Sequence, residues 1–227
     1  MSVACDHSGA QNGESRYLRE AGELRLVLVC DDCGVECAEL ERVGYRPDAR
    51  CVDGRLAELT GRELGLSEPT IARVRLAALL CEVARDQIPR EILDKQGPLN
   101  DQEWTQIRGQ PEMAAALLSD VSFDDIREWI RCHHERPDGR GYPRGLVGGQ
   151  IPLEARIVAV IDAYTAMISD RPYRAARDHE DACGELRRCA GSQFDADVVQ
   201  AFLSVTARRD TAIPELAQLG TGGQAGA

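Results

Sequence analysis

The sequence predicts a mainly helical protein preceded by a small β-structured module. From residue 47 onward, apolar residues recur with helical spacing over several segments. By contrast, residues 14–30, ESRYLREAGELRLVLVC, indicate two short strands around a turn at residues 20–22. The predicted units are a β module at residues 1–46, a helical domain at residues 47–207 and a disordered Gly- and Ala-rich tail at residues 208–227.

Composition narrows the function classes. The chain has 227 residues, and its hydrophobic content of 43% suits one sizeable helical domain with a small accessory module. Its net charge of −11 argues against a DNA-binding surface, because clustered Lys and Arg bind a phosphate backbone. The sequence contains neither a stretch of about 18 apolar residues nor a signal peptide at MSVACDHSGAQNGES. We therefore expect a cytoplasmic protein that binds neither DNA nor membranes.

The nine cysteines indicate reduced thiols, since their number is odd and no secretion signal precedes them. A hairpin between Cys5-Asp-His7 and Cys30-Asp-Asp-Cys33 would bring together four ligands of the kind that tetrahedral zinc prefers. We expect a structural, zinc-ribbon-like site, with Cys37 as the reserve ligand. The alternative is a frayed terminus with unligated thiols.

The most informative segment is residues 131–143, RCHHERPDGRGYP. Ile126, Trp129 and Ile130 keep helical spacing, so His133 and His134 extend the inward-facing stripe by one turn. The glycines that follow permit positive φ, which predicts a helix end running into a shaped loop. Imidazoles at a buried helix end beside carboxylates indicate metal ligation or proton transfer.

The segment HHERPDGRGYP resembles HHExxDGxGYP, the signature of the HD-GYP family. Residues 151–174 and 191–199 are similar to later segments of that family, and the resemblance covers residues 50–207. It implies an HD-domain-like helical bundle and a metal-dependent phosphodiesterase activity on the bacterial messenger cyclic di-GMP.

The chain departs from the family at several metal-binding positions. Where the family has His-Asp-x-Gly-Lys, this chain has Cys81-Glu82-Val83-Ala84-Arg85. Two further family histidines align near Val52 and at Gln110. The resemblance leaves a remnant site for a single Fe or Mn ion, in which the candidate metal-binding and catalytic residues are Glu82, His133, His134 and Asp162. The alternative is a metal-free site in which an imidazole pairs with a carboxylate.

Ligand-binding residues follow from the same resemblance. It implies that Arg85, Arg171 and Arg174 contact the phosphates of the ligand, and arginine suits this because it binds phosphate with two parallel hydrogen bonds. Surface ion pairs with nearby acidic residues are the alternative for Arg171 and Arg174. Tyr142 can stack on a base, contact a protein partner or anchor the loop.

The prediction from sequence is a catalytically degenerate HD-GYP domain that acts as a cyclic di-GMP-binding or regulatory module, with weak or absent hydrolysis. One alternative is an active metal-dependent phosphodiesterase that uses fewer ions. The other is a scaffold that binds protein partners through the GYP loop or the zinc ribbon, without a nucleotide ligand.

Overall fold

The computed structural model describes residues 11–18, 23–30, 36–44, 47–81, 88–118, 121–170 and 174–208, with side chains described from residue 52 onward except at position 121. Three strands, β1 (Gln11–Leu18), β2 (Glu23–Cys30) and β3 (Glu36–Gly44), precede the helices. The helices are α1 (Pro47–Glu63), α2 (Glu68–Leu80), α3 (Arg90–Leu93), α4 (Asp101–Ala116), α5 (Asp124–Cys132), α6 (Leu153–Ile168), α7 (His179–Cys189) and α8 (Ala196–Ala207).

The strands form an antiparallel sheet in the order β1-β2-β3. Gln11 pairs with Cys30 at one end of the β1–β2 ladder and Leu18 pairs with Glu23 at the other. The third strand, β3, was not predicted from the sequence. Its segment ECAELERVG contains several good helix formers, and pairing with β2 overrides that local preference.

The predicted zinc ligands cannot be compared with this sheet. Cys5, His7 and Cys33 lie outside the described residues, and so do the side chains of Cys30 and Cys37. The zinc site therefore stays a prediction. The predicted tail beyond Arg208 also lies outside the described residues.

The helix α2 is the central helix of the domain, in agreement with its nearly continuous apolar sequence. Seven of its residues are buried, including Val74 and Leu76, and it packs against α1, α5 and α6. Ser67 caps its N-terminus by accepting a hydrogen bond from the backbone N–H of Thr70. Gly65, just after α1, has a φ of 76°, the conformation that a glycine after a helix end favours.

The helix α4 begins with the predicted capping box. The Asn100 side chain accepts from the N–H of Glu103, and the Glu103 carboxylate accepts from the N–H of Asn100. The sequence predicts that Pro111 restarts a helix, but α4 runs continuously through that residue to Ala116. One uninterrupted helix therefore carries residues 104–110 past the site described below.

The two C-terminal helices close the core. Asp178 caps α7, and Asp195 caps α8 while also pairing with Arg156 on α6. The place of His179 at the start of a helix predicts a solvent-facing side chain, but its Nδ1 lies 2.8 Å from the hydroxyl of the buried Tyr164. This contact depends on how α7 packs on α6, which the sequence pattern does not reveal. Within the described ranges, no helix combines the length and the apolar content needed to cross a lipid bilayer.

Candidate metal centre and adjoining cavities

Three potential metal ligands converge between α5 and α6. His133 and His134 directly follow α5, and Asp162 lies in the middle of α6. Each offers one ligand atom, and these atoms all lie within 4.8 Å of one another. Two imidazoles with one carboxylate form a donor set that binds first-row transition metals, including non-haem iron, and leaves open positions. The donor chemistry therefore fits the Fe or Mn ion expected from the sequence.

His133 is held in one orientation. Its side chain is only 1% exposed, and its Nδ1–H donates a 2.5 Å hydrogen bond to the carbonyl oxygen of Ile130. Because a carbonyl accepts but cannot donate, the proton lies on Nδ1 and the lone pair on Nε2. This tautomer leaves Nε2 as the ligating nitrogen, the usual arrangement for a histidine oriented by a backbone carbonyl.

His134 is uncharged at neutral pH. Burial of its imidazole, followed by the neighbouring His133, lowers the pKa of His134 well below the ordinary histidine value. The two rings lie 3.9 Å apart between centroids. Only a neutral imidazole can donate a lone pair to a metal, so this environment keeps His134 in the ligating form.

Glu135 holds the loop that follows the two histidines. Its carboxylate is 3% exposed and accepts the backbone N–H groups of Arg144 at 2.6 Å and Leu146 at 2.9 Å. Glu135 is not among the site residues predicted from the sequence, although it directly follows the paired histidines. A buried carboxylate satisfied by two backbone donors fixes the path of residues 141–146 across the site.

The loop packs closely against the segment it leaves. A Cβ atom at Gly141 would lie 2.4 Å from the nitrogen of Arg136 and 2.6 Å from the carbonyl oxygen of His134. The N–H of Tyr142 donates to that same carbonyl at 3.2 Å, and its ring centroid lies 4.8 Å from that of His134. Of the three roles considered for Tyr142, these contacts match an anchor of the loop.

Among the predicted phosphate-binding residues, only Arg174 is described; Arg85, Arg171 and the predicted ligand Glu82 lie outside the described residues. The guanidinium of Arg174 donates to the carbonyls of Ala166 at 2.8 Å and Met167 at 3.4 Å, in the last turn of α6. Arg174 thus caps a helix C-terminus, where a cation is favourable. Its contact is with the backbone and not with the acidic neighbours considered as an alternative.

The positions where the chain lacks family histidines are integrated into the core. Val52 is buried among apolar side chains, and the thiol of Cys81 donates to the carbonyl of Ala78. Gln110 is buried, and its side-chain amide donates to the carbonyl of Cys81. None of the cysteines with described side chains forms a disulfide bond.

Two cavities adjoin the cluster. The smaller, about 310 Å³, is lined by the cluster together with Arg108, Arg136 and Arg140. The larger, about 800 Å³, has a more apolar wall that includes Ile88, Ile92, Leu93, Leu99 and Ile107. Both are lined by Trp104, His134, Tyr142 and Asp162. Trp104 and Arg108 were not predicted as site residues, and the only sequence signal for them is their spacing of one helical turn.

Comparisons with known proteins agree with this architecture. A family model described as "HD domain" matches residues 37–198. The "Cyclic di-GMP phosphodiesterase" of Thermotoga maritima is 36% identical over 168 residues, covering 73% of this chain and 43% of the relative. The "Cyclic di-GMP phosphodiesterase response regulator RpfG" of Xanthomonas campestris pv. campestris is 40% identical over 151 residues, covering 65% and 40%. The chain thus spans less than half the length of these relatives.

Solved structures share the fold. A cyclic GMP-AMP specific phosphodiesterase of V. cholerae, V-cGAP3, superimposes with a TM-score of 0.54 at 16% identity, covering 76% of this chain and 48% of the other. Bd1817, an HDGYP protein from Bdellovibrio bacteriovorus, gives a TM-score of 0.58 at 18% identity, covering 71% and 53%. The family model, which matches well over half of the chain, shows that the chain belongs to the HD-domain family. Within that family, residues 133–143 resemble the HD-GYP signature.

Proposed function

We propose that this chain is a metal-dependent phosphodiesterase whose substrate is a cyclic dinucleotide of the cyclic di-GMP class. The observation that carries the proposal is the convergence of His133, His134 and Asp162 on one cavity. Relatives named as cyclic di-GMP phosphodiesterases support the substrate class. The active-enzyme alternative is therefore favoured over the degenerate binding module that the sequence predicted.

The proposed ion is Fe or Mn, held by these three residues, with Glu82 proposed as a further ligand. When bound, such an ion supplies Lewis acidity toward a phosphoryl oxygen and lowers the pKa of a coordinated water. With or without Glu82, this donor set would leave positions for water and substrate, the pattern that separates catalytic from structural sites.

The chain's own residues supply orientation and charge. The hydrogen bond from His133 Nδ1 to Ile130 fixes one ring, and burial keeps the His134 ring neutral. Glu135 fixes the loop that places Tyr142 against His134. Arg108 and Arg140 place positive charge on the wall of the smaller cavity, where the phosphate groups of a dinucleotide would enter. Arg85 and Arg171 stay proposed phosphate contacts from the family resemblance.

The test is turnover of cyclic di-GMP by the full chain with added Mn²⁺ or Fe²⁺. We expect metal-dependent hydrolysis that falls to background in Asp162→Asn and His134→Ala. His179→Ala is the matched control, because His179 lies on α7 and lines neither cavity. Hydrolysis that survives Asp162→Asn would overturn the proposal.

A second candidate function is binding of the cyclic dinucleotide without hydrolysis. The observation in its favour is that Gln110 and Cys81 bond to each other where the family has metal-binding histidines. Calorimetry with cyclic di-GMP, set beside the turnover assay, separates the two functions. Binding without turnover at any metal concentration supports the second.

The N-terminal zinc site is a separate proposal, with Cys5, His7, Cys30 and Cys33 as ligands. Elemental analysis of the purified chain tests it. One zinc per chain, lost in Cys30→Ser, is expected; zinc content unchanged in that variant would overturn it.

A further inference from the structure

The side chain of Trp104 is exposed to solvent beside the candidate metal centre. It is 42% exposed, and among the described side chains only one other large hydrophobic residue, Val147, is comparably exposed. Trp104 lines both cavities, so its indole lies where they meet, close to the metal-ligand cluster. A large aromatic face left open beside two ligand-sized cavities is typical of a binding surface.

Arg108 lies one turn further along α4 and is held by aromatic rings. Its guanidinium carbon lies 5.5 Å from the centroid of Trp104 and 5.9 Å from that of Tyr142. No ion pair joins Arg108 to a carboxylate among the described residues. Two neighbouring cations differ in this respect, since Arg136 pairs with Asp138 and Arg144 pairs with Glu128. Arg108 is therefore oriented without its charge being neutralised.

The larger cavity has the opposite character. Its two described cations are already engaged: Lys95 pairs with Glu103 at 2.6 Å, and Arg174 donates to the backbone at the end of α6. Much of its remaining wall is aliphatic. The described part of this wall favours an uncharged, flat group over a second phosphate, because neither of its two described cations is available for pairing.

We propose that Trp104 and Arg108 form a nucleotide-binding edge, in which the indole stacks on a purine base that enters the larger cavity and the guanidinium binds the adjacent phosphate. This inference rests on the proposed function, since it takes a cyclic dinucleotide as the ligand. Both cavities meet at Trp104 and the cluster, so one ligand spanning them carries its phosphodiester past His134 and Asp162. Stacking on an aromatic side chain tolerates either purine, so cyclic di-GMP and 3′3′-cGAMP both fit this edge.

The first test is calorimetric binding of cyclic di-GMP and of 3′3′-cGAMP to the full chain in the presence of EDTA. Trp104→Ala is expected to weaken binding by about 5- to 150-fold, the range for loss of one base-stacking ring. Trp104→Phe is expected to restore most of the affinity, because phenylalanine keeps a stacking face. Arg108→Ala is also expected to weaken binding, and Arg108→Lys to restore part of it.

Two exposed residues outside both cavities serve as matched controls. Gln106→Ala changes an exposed residue of α4 that lines neither cavity, and Arg187→Ala removes an exposed cation of α7. Both are expected to bind as the parent does. Parent-like affinity in Trp104→Ala, or no binding of either dinucleotide to the parent, would overturn the inference.

A spectroscopic readout separates stacking from a merely structural role. The chain has two tryptophans, and Trp129 is 8% exposed, so a Trp129→Phe background isolates Trp104 fluorescence. Stacking predicts that cyclic di-GMP quenches this fluorescence at the concentrations at which calorimetry detects binding. Binding without any change in Trp104 emission would overturn the stacking assignment, and the calorimetry in the native background stands if Trp129→Phe does not fold.

The outcomes also separate this inference from the proposed function. Hydrolysis of bis(p-nitrophenyl) phosphate with Mn²⁺ reports the metal site and needs no base subsite. Metal-dependent hydrolysis of both cyclic di-GMP and that compound, together with parent-like dinucleotide affinity in Trp104→Ala, would overturn the inference and leave the proposed function standing. Trp104-dependent dinucleotide binding without hydrolysis of either compound would support the inference and sink the proposed function.

Discussion

Gln110 donates its side-chain amide to the backbone carbonyl of Cys81, so two positions that align with metal-binding histidines of the HD-GYP family are joined inside the core. The bond links Gln110, the first buried residue of α4, to Cys81, the residue that follows α2. It explains how the domain tolerates the loss of two metal-binding side chains: the amide satisfies a carbonyl that would otherwise be buried without that donor.

This bond predicts a stability cost. Gln110→Ala is expected to lower the free energy of unfolding by about 1–3 kcal/mol, because the buried carbonyl of Cys81 loses the hydrogen bond from Gln110. Gln106→Ala, an exposed change on the same helix, is expected to stay within about 0.5 kcal/mol of the parent. Urea unfolding at equilibrium provides the measurement. Equal midpoints for both variants would show that the bond contributes nothing.

Glu135 predicts a local effect on the loop. Glu135→Gln replaces one accepting oxygen by an amide donor, which faces a backbone N–H group of Arg144 or Leu146. We expect a loss of about 1–3 kcal/mol in stability and faster hydrogen exchange of these two amides. The control is Glu112→Gln, which removes a largely exposed ion pair with Arg131 and should cost less than about 1 kcal/mol. Unchanged exchange at Arg144 and Leu146 would contradict the bracing role.

Gly141 predicts a steric effect on the same loop. An added Cβ would lie 2.4–2.6 Å from backbone atoms of Arg136, Glu135 and His134, which cannot move aside as a flexible side chain could. Gly141→Ala is expected to destabilise the chain by about 1–3 kcal/mol and to lower its metal affinity. Gly149→Ala is the matched control, because a Cβ there meets nothing within 4 Å. Thermal unfolding of the two variants tests the difference. Equal stability of Gly141→Ala and Gly149→Ala would contradict the steric effect.

Asp195, which is not among the candidate metal ligands, predicts that the stability of the chain depends on pH. Burial alone would raise the pKa of Asp195, but its hydrogen bonds from Arg156 and from the N–H groups of Val198 and Asp197 outweigh that effect and lower the pKa. A carboxyl with a lowered folded pKa contributes stability above its unfolded pKa, near 3.9, and loses that contribution as pH falls through the folded pKa.

Asp195→Asn should therefore be less stable than the parent at pH 7 by about 1–2 kcal/mol, and the gap should narrow below about pH 4. Asp197→Asn, an exposed change in the same turn, is the control. Unfolding by urea at pH 7 and at pH 3.5 measures both gaps. A gap independent of pH would show that the charge of Asp195 is not involved.

Local signals explain which features the sequence predicted. Helix caps are such signals, because each acts through residues within three positions of itself and the residue type alone predicts it. The caps are Ser67, Asn100 with Glu103, Asp178 and Asp195. The grouping of His133 and His134 with Asp162 followed from the family resemblance, which includes both the signature directly after α5 and the segment that forms α6.

Features that depend on packing between elements were not predicted. Arg108 of α4 lies over the ring of Tyr142 only because α4 packs beside the loop after α5, and no periodicity encodes that packing. The sequence suggested a phosphate contact or a surface ion pair for Arg174, whereas its guanidinium donates to the carbonyls of Ala166 and Met167 at the end of α6. The segment of β3 favours helix locally, and only pairing with β2 makes it a strand.

The most direct test of the metal site is the stoichiometry of Mn²⁺ bound to the full chain, measured by electron paramagnetic resonance during titration. The parent and His179→Ala are expected to bind one Mn²⁺ tightly, and Asp162→Asn is expected to weaken that binding by at least about tenfold, as loss of a ligand or its orienting partner does. Identical titration curves for the parent and Asp162→Asn would contradict the assignment of His133, His134 and Asp162 as the metal ligands.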